Sequence, residues 1–394
     1  MIIQKEKKYL LQTYARYNLV VSRAKGKYVW DAKGKRYLDF FSGISSANLG
    51  HGDKRILSAV AKQSAKYMHV SNYYYAEPQI KLAEKLIALS FPGKVFLSNS
   101  GAEANECAIK LVRKYASKKG RYEIIAFNNS FHGRTLATLS STGQRKFHKG
   151  FEPLLKGFCF AALNDIGSVK KLINKKTAGV ILELVQGEGG INIADRKFVK
   201  ELKKICVKNK LVLIFDEIQT GLGRTGKMFA FEHYGVKPNI MTLAKSLGGG
   251  LPLGATIADR GLSAVLSYGE HGSTFGGNPV SCAAAIEVLK LLTPALLKKA
   301  SENGRYFMKK LRNLAKAYSF VKEVRGLGLM VGVELAIKGA DIVKFCQSKG
   351  LLINCTNGNV LRFLPPLIID KSDINKAVCV LEEAFVRLRS KPLN

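Results

Sequence analysis

Residues 211–226, LVLIFDEIQTGLGRTG, join an unbroken apolar run to two acids and then to three glycines. A run this short, apolar and partly β-branched reads as a strand buried on both faces, with Asp216 at its carboxyl end. Gly221, Gly223 and Gly226 carry the spacing of a dinucleotide fingerprint. The next residues, KMFAFEHYGVKP, are aromatic-rich and offer no clear helical start for a pyrophosphate, which counts against an NAD-dependent oxidoreductase. Burying Asp216 is costly without a cationic partner. A buried carboxylate here is suited to keeping the nitrogen of a pyridine cofactor protonated; a carboxylate satisfied by backbone amides is the plainer alternative.

The same texture recurs along the chain. KVFLSN (94–99), EIIAFN (123–128), AGVILELV (178–185) and NIMTLA (239–244) also read as buried strands. Between them lie helical patterns such as residues 101–117, where Ala108, Leu111, Val112 and Tyr115 recur at i, i+3, i+4 and i+7. Strands alternating with helices predict an α/β fold: a large domain with a mainly parallel sheet flanked by helices, plus a smaller α/β domain. The expected divisions are an N-terminal segment over 1–50 packing with the small domain, a large cofactor-binding domain over 51–290, and the small domain over 291–394. A hairpin is expected at Asp31 to Lys35.

Twenty-nine residues after Asp216, Lys245 follows another apolar strand and precedes Gly248, Gly249 and Gly250. Ligands of parallel sheets bind outside the carboxyl strand ends, so both side chains are placed to meet there. An amine among apolar neighbours is desolvated, loses its proton more readily and becomes a nucleophile toward an aldehyde. In LSNSGAEANE, Ser100, Gly101 and Ala102 lead from strand to helix, either as a simple capping box with Glu103 or as backbone amides seating a phosphate. FHGRT (131–135), ELVQGEGG (183–190) and VLRFLPP (360–366) add Phe131, Arg134, Glu188 and Arg362, arginines being suited to carboxylates. The six histidines show no metal-ligand spacing and no nucleophile motif beside them, so no metal site is expected.

Together, SNSGAEANECAIK, FHGRTLATLSSTG, VQGEGG, IFDEIQTGLGRTG, TLAKSLGGGLPLGA, HGSTFGGNP and NCTNGNVLRFLPPLII resemble the class III (ω-amino acid) aminotransferases, which use pyridoxal 5'-phosphate. The resemblance runs from Tyr14 to Pro366 and implies fold type I and a homodimer with active sites at the subunit interface. It implies that Lys245 bonds covalently to the cofactor and then moves the proton. It further implies that Asp216 partners the ring nitrogen, Gln219 contacts the phenolic oxygen and Phe131 stacks on the ring. Ser100, Gly101 and Ala102 are matched to the phosphate turn, helped by Thr274 from the other subunit. Arg134 is matched to the α-carboxylate of the substrate, and Glu188 with Arg362 to a switch pair. When 2-oxoglutarate enters, Glu188 swings away and Arg362 takes its carboxylate. Tyr14 and Tyr75 are matched to the substrate entrance. The implied donor is N2-acetylornithine, in arginine biosynthesis; ornithine, succinyl-diaminopimelate, 4-aminobutyrate and a carrier-linked lysine are the alternatives. Two residues depart from the family: Leu184 follows Glu183 where proline is frequent, and Asn18 replaces an N-terminal proline.

Composition bounds these readings. Apolar residues at 47% and charged residues at 23% are ordinary for a globular enzyme. The seven cysteines are scattered, with no C-x-x-C pair, which favours a reducing, cytoplasmic setting without disulfides. No signal-peptide pattern or apolar run of spanning length is present, so no membrane role is expected. The 63 Lys and Arg against 29 Asp and Glu give +34, which raises nucleic-acid binding as a rival function. The lysines are dispersed through nearly every segment, and a solvated basic surface explains them without a nucleic-acid partner.

Overall fold

The computed structural model describes residues 1–389. A helix at Ile2–Tyr9, with no buried residue, precedes an antiparallel meander of β1 (Val21–Lys25), β2 (Tyr28–Asp31) and β3 (Arg36–Asp39). The turn between β2 and β3 is closed by the Asp31 carboxylate, which accepts from the N–H groups of Lys33 and Lys35.

The large sheet begins with β4 (Gly93–Ser98), β5 (Glu123–Phe127), β6 (Phe158–Ala161) and β7 (Thr177–Leu182). A short hairpin, β8 (Val185–Gln186) and β9 (Asn192–Ile193), interrupts it before β10 (Val212–Asp216), β11 (Ile240–Leu243) and β12 (Gly254–Asp259) complete it. The seven strands lie in the order β4-β12-β11-β10-β7-β5-β6. β12 runs antiparallel to both its neighbours, and every other pairing is parallel. The five inner strands are buried on both faces, the edge strands β4 and β6 are largely half-buried, and alternate residues feed two cores. Ile125, Phe127, Leu213, Phe215, Met241 and Leu243 join the larger one; Ile124, Ala126, Val212, Ile214 and Ile240 pack with helix Gly101–Ser117. On that helix Ala108, Leu111 and Val112 are buried, whereas Tyr115, which completes the spacing, is 52% exposed. Its ring lies at the edge of the packed face, where an amphipathic tyrosine meets water.

The chain ends in β13 (Val321–Leu327), β14 (Met330–Leu335), β15 (Leu351–Leu352), β16 (Asn354–Thr356) and β17 (Val360–Phe363), closed by helix Lys371–Arg389. Four of these form an antiparallel sheet in the order β13-β14-β17-β16, while β15 pairs in parallel with β3 and so ties the C-terminal part to the N-terminal meander. Residues 390–394, the end of the small domain expected from sequence, lie outside the described residues.

Helix Pro294–Ala315 reaches the β13–β14 turn through a glycine pair: a Cβ on Gly304 would lie 2.1 Å from the Gly328 carbonyl oxygen. Backbone on both sides leaves nothing flexible to give way. Gly304→Ala is therefore expected to lower unfolding free energy by about 1–3 kcal/mol; urea titration checks this, and an unchanged midpoint would refute the close packing.

Candidate active site

Strand parity builds the site. Val212 and Ile214 face helix Gly101–Ser117, so Asp216, next on the same side of β10, faces it too; Thr242 shares that side of β11 and pairs in register with Asp216. Asn105 on the helix meets both. Its amide nitrogen donates to Asp216 Oδ2 at 2.8 Å, and its oxygen accepts from the Thr242 hydroxyl at 2.8 Å. His132 Nδ1 lies 2.8 Å from the same Oδ2, and Ile218 N–H donates to Oδ1 at 3.1 Å. All four side chains are buried. The carboxylate is thus held by donors at both oxygens, with room on Oδ1 for one more.

Lys245 leaves the end of β11 beside Asp216. Burial lowers its amine to about 8 from the ordinary 10.5, although Asp216 pulls it the other way. Next along the chain edge, Glu183 accepts from Phe131 N–H at 2.8 Å and Gly187 N–H at 3.3 Å. Burial pushes its carboxyl up to about 7, His132 opposing. Glu183 thereby joins the segment carrying Phe131 to the turn carrying Glu188. Leu184, where proline is frequent in the family, is buried and presents its carbonyl to Ala194 N–H and the Tyr234 hydroxyl.

Arg362 on β17 is buried. Its Nη1 donates to Glu188 Oε2 and the Gly187 carbonyl, both at 3.1 Å, and its Nε to Asn354 Oδ1 at 3.1 Å. Thr356 and Asn357 bond the carbonyls of Glu188 and Gly189, fixing the turn to the C-terminal sheet. At the start of helix Gly101–Ser117, Glu103 N–H bonds the Ser100 hydroxyl, and the Glu103 carboxylate reaches back to Asn99 N–H. The capping arrangement leaves the N–H groups of Gly101 and Ala102 without partners among the described residues.

Lys245 thus lies within electrostatic reach of Asp216, Glu183, Glu188 and Arg362; Phe131 is tied to Glu183, Gln219 stands against Gly187, and Gly101, at the start of the helix, stands against Ile218 two residues past Asp216. Arg134 is exposed beside Phe131 and Phe147, its guanidinium 4.1 Å from the latter ring centroid. Thr274 is exposed, and Tyr14 and Tyr75 are 71% and 100% exposed, so this single chain does not bring them into the site. The N-terminal tyrosine near Glu188 and Arg362 is Tyr17: burial raises its hydroxyl, and both charged groups lie within its electrostatic reach. Sequence reading passed over Tyr17, Asn105, His132, Thr242 and the bridging role of Glu183. His132 alone had a local signal, its place beside Phe131.

Sheet order, strand-end chemistry and the desolvated amine define a pyridoxal-phosphate-dependent transferase of fold type I. The chain belongs to the class-III aminotransferases, whose family model, Aminotransferase class-III, matches residues 10–385. It is 51% identical over 391 residues to the acetylornithine aminotransferase of Methanocaldococcus jannaschii, covering 98% of each. It is 50% identical over 378 residues to that of Aquifex aeolicus, covering 95% of this chain and 99% of the relative. Among solved structures, the ornithine aminotransferase of Toxoplasma gondii superposes with a TM-score of 0.95 at 33% identity, over 98% of this chain and 95% of that one. The acetylornithine aminotransferase of Elizabethkingia anophelis gives 0.87 at 30% identity over 98% of each.

The cofactor of this family, pyridoxal 5'-phosphate, fits the residues present. Gln219 Oε1 and Thr220 Oγ1 are buried with no partner among the described residues. A Cβ at Gly187 would lie 1.9 Å from that Gln219 oxygen, so the glycine keeps its position open. A carboxylate, an aromatic face, a free amide oxygen, unpartnered backbone N–H groups and a readily deprotonated amine are the complement of a charged, phosphorylated pyridine aldehyde.

The lowered amine also has a thermodynamic signature. Between about pH 8 and the ordinary lysine value of 10.5 the unfolded chain holds a proton that folded Lys245 has released. Stability of the cofactor-free protein from this group therefore rises with pH across that window. Lys245→Met is expected to be more stable than the parent below pH 8, with the gap closing toward pH 10; a pH-independent gap in urea titrations would contradict the burial.

Proposed function

We propose that this aminotransferase moves the δ-amino group of N2-acetylornithine to 2-oxoglutarate, giving N-acetylglutamate 5-semialdehyde and glutamate in arginine biosynthesis. The observation that carries the reading is the Glu188–Arg362 pair within electrostatic reach of Lys245. A donor reacting through a terminal CH2–NH2 brings no carboxylate to that spot, and the pair stays closed. An acceptor reacting through C2 brings its 1-carboxylate there, and Glu188, with its half-buried side chain, is the partner free to turn away. The names of the relatives support acetylornithine as the donor. The ornithine aminotransferase likeness makes ornithine the second reading.

In this reading the bound pyridoxal phosphate supplies a carbonyl for amine exchange and a ring that withdraws electrons from the reacting carbon. Asp216, oriented by Asn105 and His132, would keep the ring nitrogen protonated, with Phe131 as the residue to cover the ring and Gln219 to hold the phenolic oxygen. Lys245, neutral in an appreciable fraction near pH 7, takes the proton from the reacting carbon and returns it one atom away. Ser100, Gly101 and Ala102 anchor the phosphate. Arg134 takes the donor's α-carboxylate, with Tyr14 and Tyr75 at the entrance.

We assign the assembly as a homodimer in which the second copy supplies Thr274. The strongly exposed Tyr73, Tyr74, Tyr75 and Tyr268 support it, being large apolar surfaces that water disfavours. Residues 1–50 with 291–394 are assigned to the small lobe and 51–290 to the large one, a division supported by the β3–β15 pairing. No single helix among the described residues is long and apolar enough to cross a membrane, in keeping with a cytoplasmic assignment.

Arg362→Lys gives up the planar fork but keeps the charge. It is expected to lower kcat/KM for 2-oxoglutarate roughly 10–100-fold, with the acetylornithine half-reaction changed far less. Equal losses in the two half-reactions, followed by single-turnover absorbance, would remove the switch. Ornithine matching its acetylated form in the first half-reaction would replace the donor.

A further inference from the structure

Lys245 has φ +46°, a left-handed conformation for a residue with a Cβ. Such residues cost about 1–3 kcal/mol and persist only where their surroundings over-determine them. The constraint on this turn comes from far away in sequence. Ser246, buried beside Lys245, accepts at its hydroxyl from Asn48 Nδ2 at 3.0 Å. The second hydrogen-bond partner of that nitrogen is the Leu222 carbonyl at 3.1 Å.

The orientation of the Asn48 amide is forced. On its other side stands Arg224, the arginine of the glycine run in IFDEIQTGLGRTG, at 0% exposure. Arg224 has no carboxylate within ion-pair distance among the described residues, and burial lowers its guanidinium to about 9. Its Nη2 donates to Asn48 Oδ1, its Nε to the Ser45 hydroxyl at 2.9 Å, and its Nη1 to the carbonyls of Leu329 and Pro365 at 3.0 and 2.6 Å. A guanidinium accepts nothing, so the Asn48 oxygen must face it and the nitrogen must face Ser246. Ser45 also donates to Asn48 Oδ1 at 2.8 Å. It closes a turn in which Ser42, Gly43, Ile44 and Ser45 all have positive φ, 49°, 56°, 60° and 67°. Left-handed turns of this kind cost about 1–2 kcal/mol per L-residue, so the segment is held in place by what it reaches.

We propose that Asn48, locked by Arg224, is a positioning residue that holds the reacting lysine in its strained conformation through Ser246. The glycine run, which gives no dinucleotide site, thereby has a use: it carries a buried cation that ties the N-terminal segment and the C-terminal part to the lysine turn. The proposal rests on Lys245 being the reacting amine.

Asn48→Asp keeps the acceptor for Arg224 and Ser45 but replaces the donor to Ser246 and to the Leu222 carbonyl with an oxygen, which the Leu222 carbonyl repels; the Ser246 hydroxyl can answer it only by turning round to donate, so the link no longer fixes the lysine turn as the amide does. Ser246→Ala removes only the acceptor. Cofactor-free protein of each variant, of the double variant and of Lys245→Met is mixed with pyridoxal phosphate, and the absorbance of the lysine-bound cofactor is followed; steady-state kinetics and melting temperatures accompany it. Asn48→Asp is expected to slow cofactor capture and lower kcat about tenfold, with KM for both substrates within about twofold, and Ser246→Ala to do the same about threefold. The double variant is expected to be no worse than Asn48→Asp alone, because both changes break one link. Multiplying losses would overturn the proposal. So would Ser246→Ala, or Asn48→Asp, capturing cofactor and turning over at the parent rate. If Asn48→Asp does not fold, Ser246→Ala decides alone by the same capture rate and kcat at an unchanged melting temperature. Capture and turnover by Lys245→Met would instead remove the reading of the lysine itself.

Discussion

The buried Asp216 carboxylate and the desolvated Lys245 amine within its electrostatic reach, at the ends of β10 and β11, set the terms for the rest of the molecule. Removing both from water is expensive, and their attraction offsets it only if the carboxylate's remaining lone pairs are satisfied. Asn105, His132 and the Ile218 N–H do this for Asp216. The amine has no such set of acceptors and meets its cost differently, by giving up its proton more easily. A structural ion pair would hold both groups charged. Here the geometry keeps one charged and lets the other become a base, which is the division of labour that amine exchange with an aldehyde requires.

The sheet was legible because burial on both faces demands continuous apolar runs, which β5, β7, β10 and β11 have, and the edge strand β4 keeps a short apolar run of its own. β6, FCFA, and β12, GATIAD, escaped: the first is only four residues long, and the second mixes small residues and threonine with few large side chains. β12 also reverses direction, which no periodicity announces. In the site, residues at strand ends and glycine turns could be read locally, since the backbone places them whatever else happens. The residues that hold them could not. Asn105 meets Asp216 across 111 positions and His132 meets it across 84, contacts created by packing a helix and the segment after β5 against the sheet. The N-terminal tyrosine shows the same limit. Tyr14 and Tyr17 lie in one polar stretch, and only the path of the chain past β16 and β17 decides that Tyr17 approaches Arg362.

The glycine run after β10 illustrates how a motif misleads when its spacing is read without its context. Gly223 and Gly226 do take positive φ, as a phosphate loop's glycines often do. Yet the chain beyond them makes only a 3-10 turn at Ala230–His233, and the glycine run itself presents the Arg224 side chain inward rather than amides outward. Glu217, one residue past Asp216, explains the shape. Buried and raised to about 8 by that burial, it accepts from the N–H groups of Ala230 and Phe231 at 2.6 and 2.8 Å, folding the loop back on the strand end.

A net charge of +34 makes basic residues the least informative letters of this sequence, and burial restores their meaning. Among the described residues, the fully buried cations are Arg224 and Arg362, and Lys245 is the lysine most strongly stripped of water. The three solve the desolvation problem in different ways. Arg224 is surrounded by neutral carbonyl and amide oxygens, which cannot be displaced by a ligand, and so is fixed. Arg362 is paired with a carboxylate on a turn that reaches toward solvent, so a competing carboxylate has a partner to replace. Lys245 gives up its proton more readily than an ordinary lysine. Rigidity, exchange and reactivity thus follow from the kind of acceptor each cation meets, and that is a property of the fold around it, with the same charge on every one of them at the start.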